Sequence, residues 1–256
     1  MRNKNFSTER KKVQDDPQKQ LIYGTHAALE CIKNPIRKIN KIYCSDNIFN
    51  KYHIFISKHQ HFICSTKELD YKFGNYNHQG IVVETKFLHQ NFHINICKDF
   101  SKIVILDKLQ DPNNIGSIMR CAVAFGIECI ILPNRNSPIY SYAISHVASG
   151  AEDHIKVLIT PNLTSTVLSL KKIGFWVVGL DSNSTTSIEK ANPDILQKVS
   201  LVFGSEGKGI STLLKSHCDQ TYTIPIKSGP INSLNVSNAS AITFFALTKM
   251  MNPSNN

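Results

Sequence analysis

Although hydrophobic residues make up 41% of this 256-residue chain, no apolar run approaches the roughly 20 residues needed to cross a bilayer. A membrane-spanning helix is therefore not expected. The amino-terminal stretch MRNKNFSTERKKVQDDPQKQ has no apolar core either, so it reads as neither secretory signal nor anchor, and a cytoplasmic protein is expected. Cysteine is sparse and unpatterned: the seven, at 31, 44, 64, 97, 121, 129 and 218, are an odd number without a CxxC pair. That argues against a disulfide framework or a zinc knuckle and suits a reducing compartment. The ten histidines include no HExxH pattern, so no metal site is expected.

Acidic residues are also few, 19 against 29 Lys and Arg, giving a formal charge of +10. Residues 1–99 carry 16 − 9 = +7 of it and residues 100–256 carry 13 − 10 = +3. A basic bias in the first part points to a surface that meets polyanions. Residues 1–19 lack apolar periodicity and read as a flexible basic arm. From Leu21 onward the chain alternates a helical pattern, LIYGTHAALECIK, with strand-like KINKIYCS, HFICS and QGIVVET. This makes a small α/β module over residues 20–87.

A polar stretch, residues 88–99, reads as a linker. Beyond it apolar strands (KIVILD, ECIIL, IKVLI, FWVVGLD, SLVFG, TYTIPI) alternate with segments of helical length over residues 100–256. That rhythm implies a mostly parallel sheet covered on both faces. In such sheets ligands sit beyond the carboxyl ends of the strands.

Three loops at such ends carry chemistry. In LDKLQDPNNIGSIMRCAVAFG, residues 106–126, Pro112 breaks the chain and Asn113 or Asn114 is expected to cap a helix running to Gly126. Arg120 lies farther along that helix, but a long side chain leaning toward the helix amino terminus lets it converge with Asn114 on a ligand. In FGSEGKG, residues 203–209, the glycines let backbone approach a ligand closely. The spacing matches neither a P-loop nor GxGxxG, and Glu206 would repel phosphate. A glycine loop bearing an acid suits a ligand without a phosphate chain, as S-adenosylmethionine is. In IPI followed by SLNVSNA, residues 233–239, Ser233 or Asn235 is expected to cap a helix reaching Lys249.

In that order the DPNNIGSIMR, FGSEGKGI and IPI…SLNVSNASA segments resemble the signature motifs of the SpoU/TrmH branch of the SPOUT methyltransferases. YGTHAAL at 23–29 and HQGIVV at 78–83 resemble the L30e-like RNA-binding module of the bacterial 23S rRNA guanosine-2′-O-methyltransferases. The resemblance implies an α/β chain whose carboxyl-terminal SPOUT domain holds a trefoil knot. It implies a homodimer, RNA as substrate and S-adenosylmethionine as cofactor. Carried over by motif position, the family's functional residues are Asn114, Arg120, Glu206, Ser233 and Asn235, while Gly204, Ile224, Ile226 and Leu234 fall where the cofactor is held. The sequence departs from the family at Lys227-Ser228-Gly229-Pro230-Ile231, a charged version of an apolar loop, and at Asn238, where valine is usual. A tRNA methyltransferase and a non-catalytic RNA-binding protein on the same scaffold remain open. A dinucleotide-dependent dehydrogenase is disfavoured by the glycine spacing.

Overall fold

The computed structural model describes residues 19–251 apart from 75–76, 228 and 231–232. Most of the expected basic arm therefore lies outside the described residues. The chain divides into two units between Phe87 and Leu88.

The first unit runs β1 (Gln20–Tyr23), α1 (Thr25–Lys33), β2 (Ile39–Cys44), α2 (Asp46–Ile56), β3 (His61–Ile63), α3 (Thr66–Phe73) and β4 (Ile81–Thr85). Its sheet has the order β1-β4-β2-β3, with β4 antiparallel to both neighbours and β2 parallel to β3. Ile42 and Cys44 of β2 join Ile22, Ala28, Cys31, Ile56, Ile81 and Val83 in one buried cluster. The opposite side of β2 presents Tyr43, stacked on Phe62 at 5.2 Å and met edge-on by Phe73 at 5.0 Å. Period-2 alternation thus covers both faces of the small sheet. Gly24 precedes α1 with φ +91 and offers no side-chain cap. Gln79 supplies it instead: its Oε1 accepts the Thr25 N–H at 2.9 Å, and the His78 carbonyl accepts the Gly24 N–H at 3.3 Å. The two segments singled out in this unit, YGTH and HQG, are therefore joined to each other.

The second unit carries β5 (Gln90–Asn91), β6 (Lys102–Leu106), α4 (Pro112–Ala124), β7 (Cys129–Pro133), α5 (Tyr142–Ala148) and β8 (Lys156–Thr160). There follow α6 (Leu163–Lys172), β9 (Trp176–Leu180), β10 (Val199–Phe203), α7 (Thr212–Ser216), β11 (Gln220–Tyr222) and α8 (Val236–Met251). All seven strands pair in parallel, in the order β11-β9-β10-β6-β7-β8-β5. Val104 and Leu106 of β6 pack with α4, α5 and α8, whereas Ile103 and Ile105 pack with α6 and α7. A strand that alternates between two apolar clusters must read as a continuous apolar run. Where α4 crosses α5, a Cβ on Gly116 would stand 2.7 Å from the Ile144 carbonyl oxygen, so only glycine permits this approach.

Three expectations change. Residues 88–99 do not form a free linker: β5 pairs with β8, and Cys97, in a 3-10 turn at Ile94–Cys97, is fully buried against the sheet. β11 stops at Tyr222, because Thr223 makes only an isolated bridge to Ser187 and Pro225 has no N–H to pair. Helix α4 is capped by Asp111, whose carboxylate accepts the Asn113 N–H at 2.9 Å. Pro112 opens the helix at a position that lacks an intrahelical N–H bond anyway. Asn114 is thereby released from capping.

No helix among the described residues is long and apolar enough to cross a membrane.

Candidate active site

The loops after β6, β10 and β11 all leave the carboxyl edge of the sheet, where β10 sits between β6 and β9. Chain direction makes this meeting obligatory, since parallel strands release their loops at one edge. Asp107, 3% exposed at the end of β6, fixes the edge: its N–H bonds the Phe203 carbonyl at 2.8 Å and its Oδ2 accepts the Ser211 N–H at 2.8 Å. That buried carboxylate ties two loops 104 residues apart, and sequence reading did not single it out.

The glycine loop is explained by its own backbone. Ser205 and Gly209 exchange both bridge bonds, Ser205 N–H to Gly209 O at 3.2 Å and Gly209 N–H to Ser205 O at 2.8 Å. Gly207 and Gly209 hold φ of +79 and +66, which glycine adopts without Cβ strain. At Gly204 a Cβ would lie 1.9 Å from the Gly209 carbonyl carbon and 2.1 Å from the Ile210 nitrogen. The close approach expected between Gly204 and a ligand is thus made, on its Cβ side, by the chain to itself. The turn lifts Glu206 to its exposed tip.

Glu206 is held there by two amides. Asn114, 8% exposed, donates Nδ2–H to Glu206 Oε1 at 2.9 Å. Asn235 donates Nδ2–H both to Glu206 Oε1 at 2.5 Å and to Asn114 Oδ1 at 3.0 Å. The remaining oxygen of Asn235, Oδ1, accepts the Ser237 N–H at 2.9 Å and the Ser237 hydroxyl at 2.6 Å. Asn235 therefore caps α8 with one atom and bridges the other two motifs with the other. Of the five residues carried over as functional, the structure brings three together: Asn114, Glu206 and Asn235. Arg120 and Ser233 are exposed, and neither side chain makes a hydrogen bond or ion pair among the described residues. Arg120 does lie close enough to the Cys121 thiol to oppose the rise in its pKa that burial causes.

Ile224 and Leu234 are half-buried and Ile226 is 40% exposed, so apolar side chains follow the end of β11. Among the described residues the N–H groups of Ile226 and Leu234 meet no backbone partner. In the departing loop, Ser228 and Ile231 lie outside the described residues, while Lys227, Gly229 and Pro230 are exposed. Asn238 is exposed on the first turn of α8. A salt bridge joins Lys215 to Asp181, just past the carboxyl end of β9. Burial alone would raise the Asp181 pKa, but the hydrogen bond and charge of Lys215, with the Asn183 N–H, outweigh it and leave the carboxyl below its ordinary range. Burial raises the Tyr222 phenol. Among the described residues no group of three or more His, Cys, Asp or Glu is placed to hold a metal ion.

Residues 101–245 match the family model of the SpoU rRNA Methylase family, more than half of the chain. The chain belongs to the SpoU/TrmH family of RNA methyltransferases. Residues 21–90, which span the first unit's elements, match the model for RNA 2′-O ribose methyltransferase substrate binding. A Staphylococcus epidermidis protein assigned by name to the TrmH family of tRNA/rRNA methyltransferases is 34% identical over 237 residues, 88% of this chain and 93% of the relative. Among solved structures, the SpoU methyltransferase AviRb from Streptomyces viridochromogenes, in complex with the cofactor AdoMet, superposes with a TM-score of 0.78 at 18% identity. That alignment covers 91% of this chain and 90% of AviRb. An AdoMet-bound rRNA methyltransferase from Sinorhizobium meliloti gives 0.77 at 20% identity, over 91% of this chain and 87% of that one. At these identities the SpoU/TrmH likeness is one of fold, and the fold is the SPOUT α/β arrangement described above.

Proposed function

We propose that this chain transfers the methyl group of S-adenosylmethionine to a ribose 2′-hydroxyl of RNA, with a guanosine of 23S rRNA as the target. The observation that carries the reading is the meeting of Asn114, Glu206 and Asn235, from three separate motifs, at the carboxyl edge of a parallel sheet. A substrate-binding unit on the same chain supports RNA as the partner, and the resemblance of YGTHAAL and HQGIVV to the module of the 23S rRNA enzymes favours large-subunit rRNA over tRNA. The site chemistry fits the cofactor. Part-exposed Ile224, Ile226 and Leu234 offer apolar cover for an adenosine, and the N–H groups of Ile226 and Leu234, which meet no backbone partner among the described residues, offer donors to its polar atoms. Gly204 contributes backbone. When bound, S-adenosylmethionine supplies an electrophilic methyl group on a sulfonium.

The chain's own residues would then align the hydroxyl for an in-line displacement and relieve the developing charge, the hydroxyl proton leaving to solvent. Arg120 is assigned to that charge: a guanidinium keeps its proton at any working pH, so it stabilises an alkoxide or binds the flanking phosphate more readily than it takes a proton. Glu206 presents a carboxylate oxygen to Arg120 or to the ribose, and Asn114 with Asn235 hold it in place. Ser233, exposed two residues before Asn235, is assigned to bond the substrate. The reading includes a trefoil knot in the segment carrying the site. It also includes a homodimer, supported by Phe245 and Ile242 of α8, 58% and 42% exposed. The first unit, with the basic arm, supplies the grip on RNA, and its phosphate contacts make binding salt-dependent.

Methyl transfer from radiolabelled S-adenosylmethionine to purified rRNA and tRNA tests the reading. Arg120→Ala is expected to abolish transfer while calorimetry shows cofactor binding nearly intact. Loss of cofactor binding in that variant would overturn the assignment of Arg120.

A further inference from the structure

We infer that Ser237 is a positioning residue for the methyl transfer: it sets the polarity of the Asn235 amide and, through it, the orientation of the Glu206 carboxylate. The inference rests on the methyltransferase reading above and adds a residue to it. An asparagine amide has two nearly isosteric orientations, and only its hydrogen-bond partners choose between them. In the observed one, Nδ2 gives both hydrogens to acceptors, Glu206 Oε1 at 2.5 Å and Asn114 Oδ1 at 3.0 Å. Rotation by half a turn would set Oδ1 against those two oxygens and Nδ2 against the Ser237 N–H. The Ser237 N–H, at 2.9 Å, can only donate to Oδ1 and excludes the turned amide, and the hydroxyl, at 2.6 Å, donates a second, shorter bond that strengthens the first state.

The choice propagates. With Asn235 Nδ2 fixed as donor, Asn114 must turn Oδ1 toward Asn235 and Nδ2 toward Glu206, which is what its 2.9 Å bond shows. Glu206 Oε1 then accepts from two amides, while Oε2 accepts from no described residue. One carboxylate oxygen is saturated and the other is left for Arg120 or the ribose hydroxyl. Networks of this kind polarise their members, so an interruption at Ser237 is felt at Glu206. Ser237 itself is anchored by the first turn of α8, its carbonyl accepting the hydroxyl of fully buried Ser240 at 2.8 Å. Among the described residues it makes no hydrogen bond to Glu206 or Asn114, so it acts through Asn235.

The test is a double-substitution cycle on the full chain, with S-adenosylmethionine and rRNA. Ser237→Ala is expected to lower kcat about tenfold, or about 1.4 kcal/mol, with KM for both substrates nearly unchanged, and Ser237→Thr is expected to restore most of it. In an Asn235→Ala background the same Ser237→Ala change should add less than about twofold, because the residue through which it acts is gone. A full loss in that background, or none in the wild-type background, would overturn the inference. Selective 15N labelling of asparagine gives a readout apart from turnover: the Asn235 side-chain amide protons should be shifted and slow to exchange in the wild type and exchange faster in Ser237→Ala, which keeps only the backbone N–H on Oδ1. Unchanged amide signals would likewise overturn it. If the wild-type chain transfers no methyl group to RNA, the methyltransferase reading fails and takes the positioning role with it, whatever the amide signals show.

Discussion

Replacing Gly204 by alanine isolates the device on which the glycine loop depends. The added Cβ would meet Gly209 C at 1.9 Å, Ile210 N at 2.1 Å and Gly209 O at 2.2 Å, all backbone atoms with no rotamer to yield. The turn must open, and the two Ser205–Gly209 bonds go with it. Two hydrogen bonds are worth about 1–3 kcal/mol net, and the forced backbone shift brings the total to about 3 kcal/mol. In a chain of this size that lowers Tm by about 6–12 °C. Gly207 is the control, for a Cβ there meets nothing within 4 Å and the penalty comes only from its φ of +79. Gly207→Ala should therefore cost about 1 kcal/mol, or about 2–4 °C. Scanning calorimetry measures both, and methyl-transfer assays on the folded variants should show Gly204→Ala the more damaged, since it displaces Glu206. A Gly204→Ala protein as stable and active as wild type, or less affected than Gly207→Ala, would refute the account of the loop.

Two further outcomes follow from the same structure. The Asp181 carboxyl titrates below its ordinary range in the folded chain, so the unfolded chain takes up its proton first as pH falls. Its pairing with Lys215 thus stabilises fully above the unfolded value of about 3.9 and is lost as pH drops through the lower folded value; the stability gap between wild type and Asp181→Asn in acid denaturation should narrow below that point, and a constant gap would contradict the assignment. Removal of residues 1–87 should leave S-adenosylmethionine binding in place but sharply reduce methylation of RNA, and undiminished RNA activity would refute the division of labour between the units.

Much of this arrangement was legible in the residues because burial writes itself into composition. β6 and β10 lie between two apolar clusters, so KIVILD and SLVFG read as strands, each within a residue of the observed bounds. Gly126, with φ +70 just after α4, was equally readable as a helix stop. β5 was not, since Gln90-Asn91 has no apolar signal and pairs only because β8 offers an edge. The cap of α4 was misassigned because Asn113, Asn114 and Asp111 are all good caps locally. Only the tertiary partner of Asn114, Glu206 at 92 residues' distance, shows which one was spoken for. Asp107 and Ser237 escaped notice for a related reason: their importance lies in a bond to Ser211 and in the orientation of Asn235, and neither leaves a periodic mark.

The cluster of Asn114, Glu206 and Asn235, with Arg120 on the helix that carries Asn114, is proposed to methylate a ribose. The direct measurement is to incubate rRNA and tRNA from cells lacking this gene with the purified chain and S-adenosylmethionine, and to map 2′-O-methyl positions nucleotide by nucleotide. A new 2′-O-methylated guanosine is expected in 23S rRNA, missing when Arg120→Ala is used. A methyl group found on a base, or no new modification in either RNA, would contradict it.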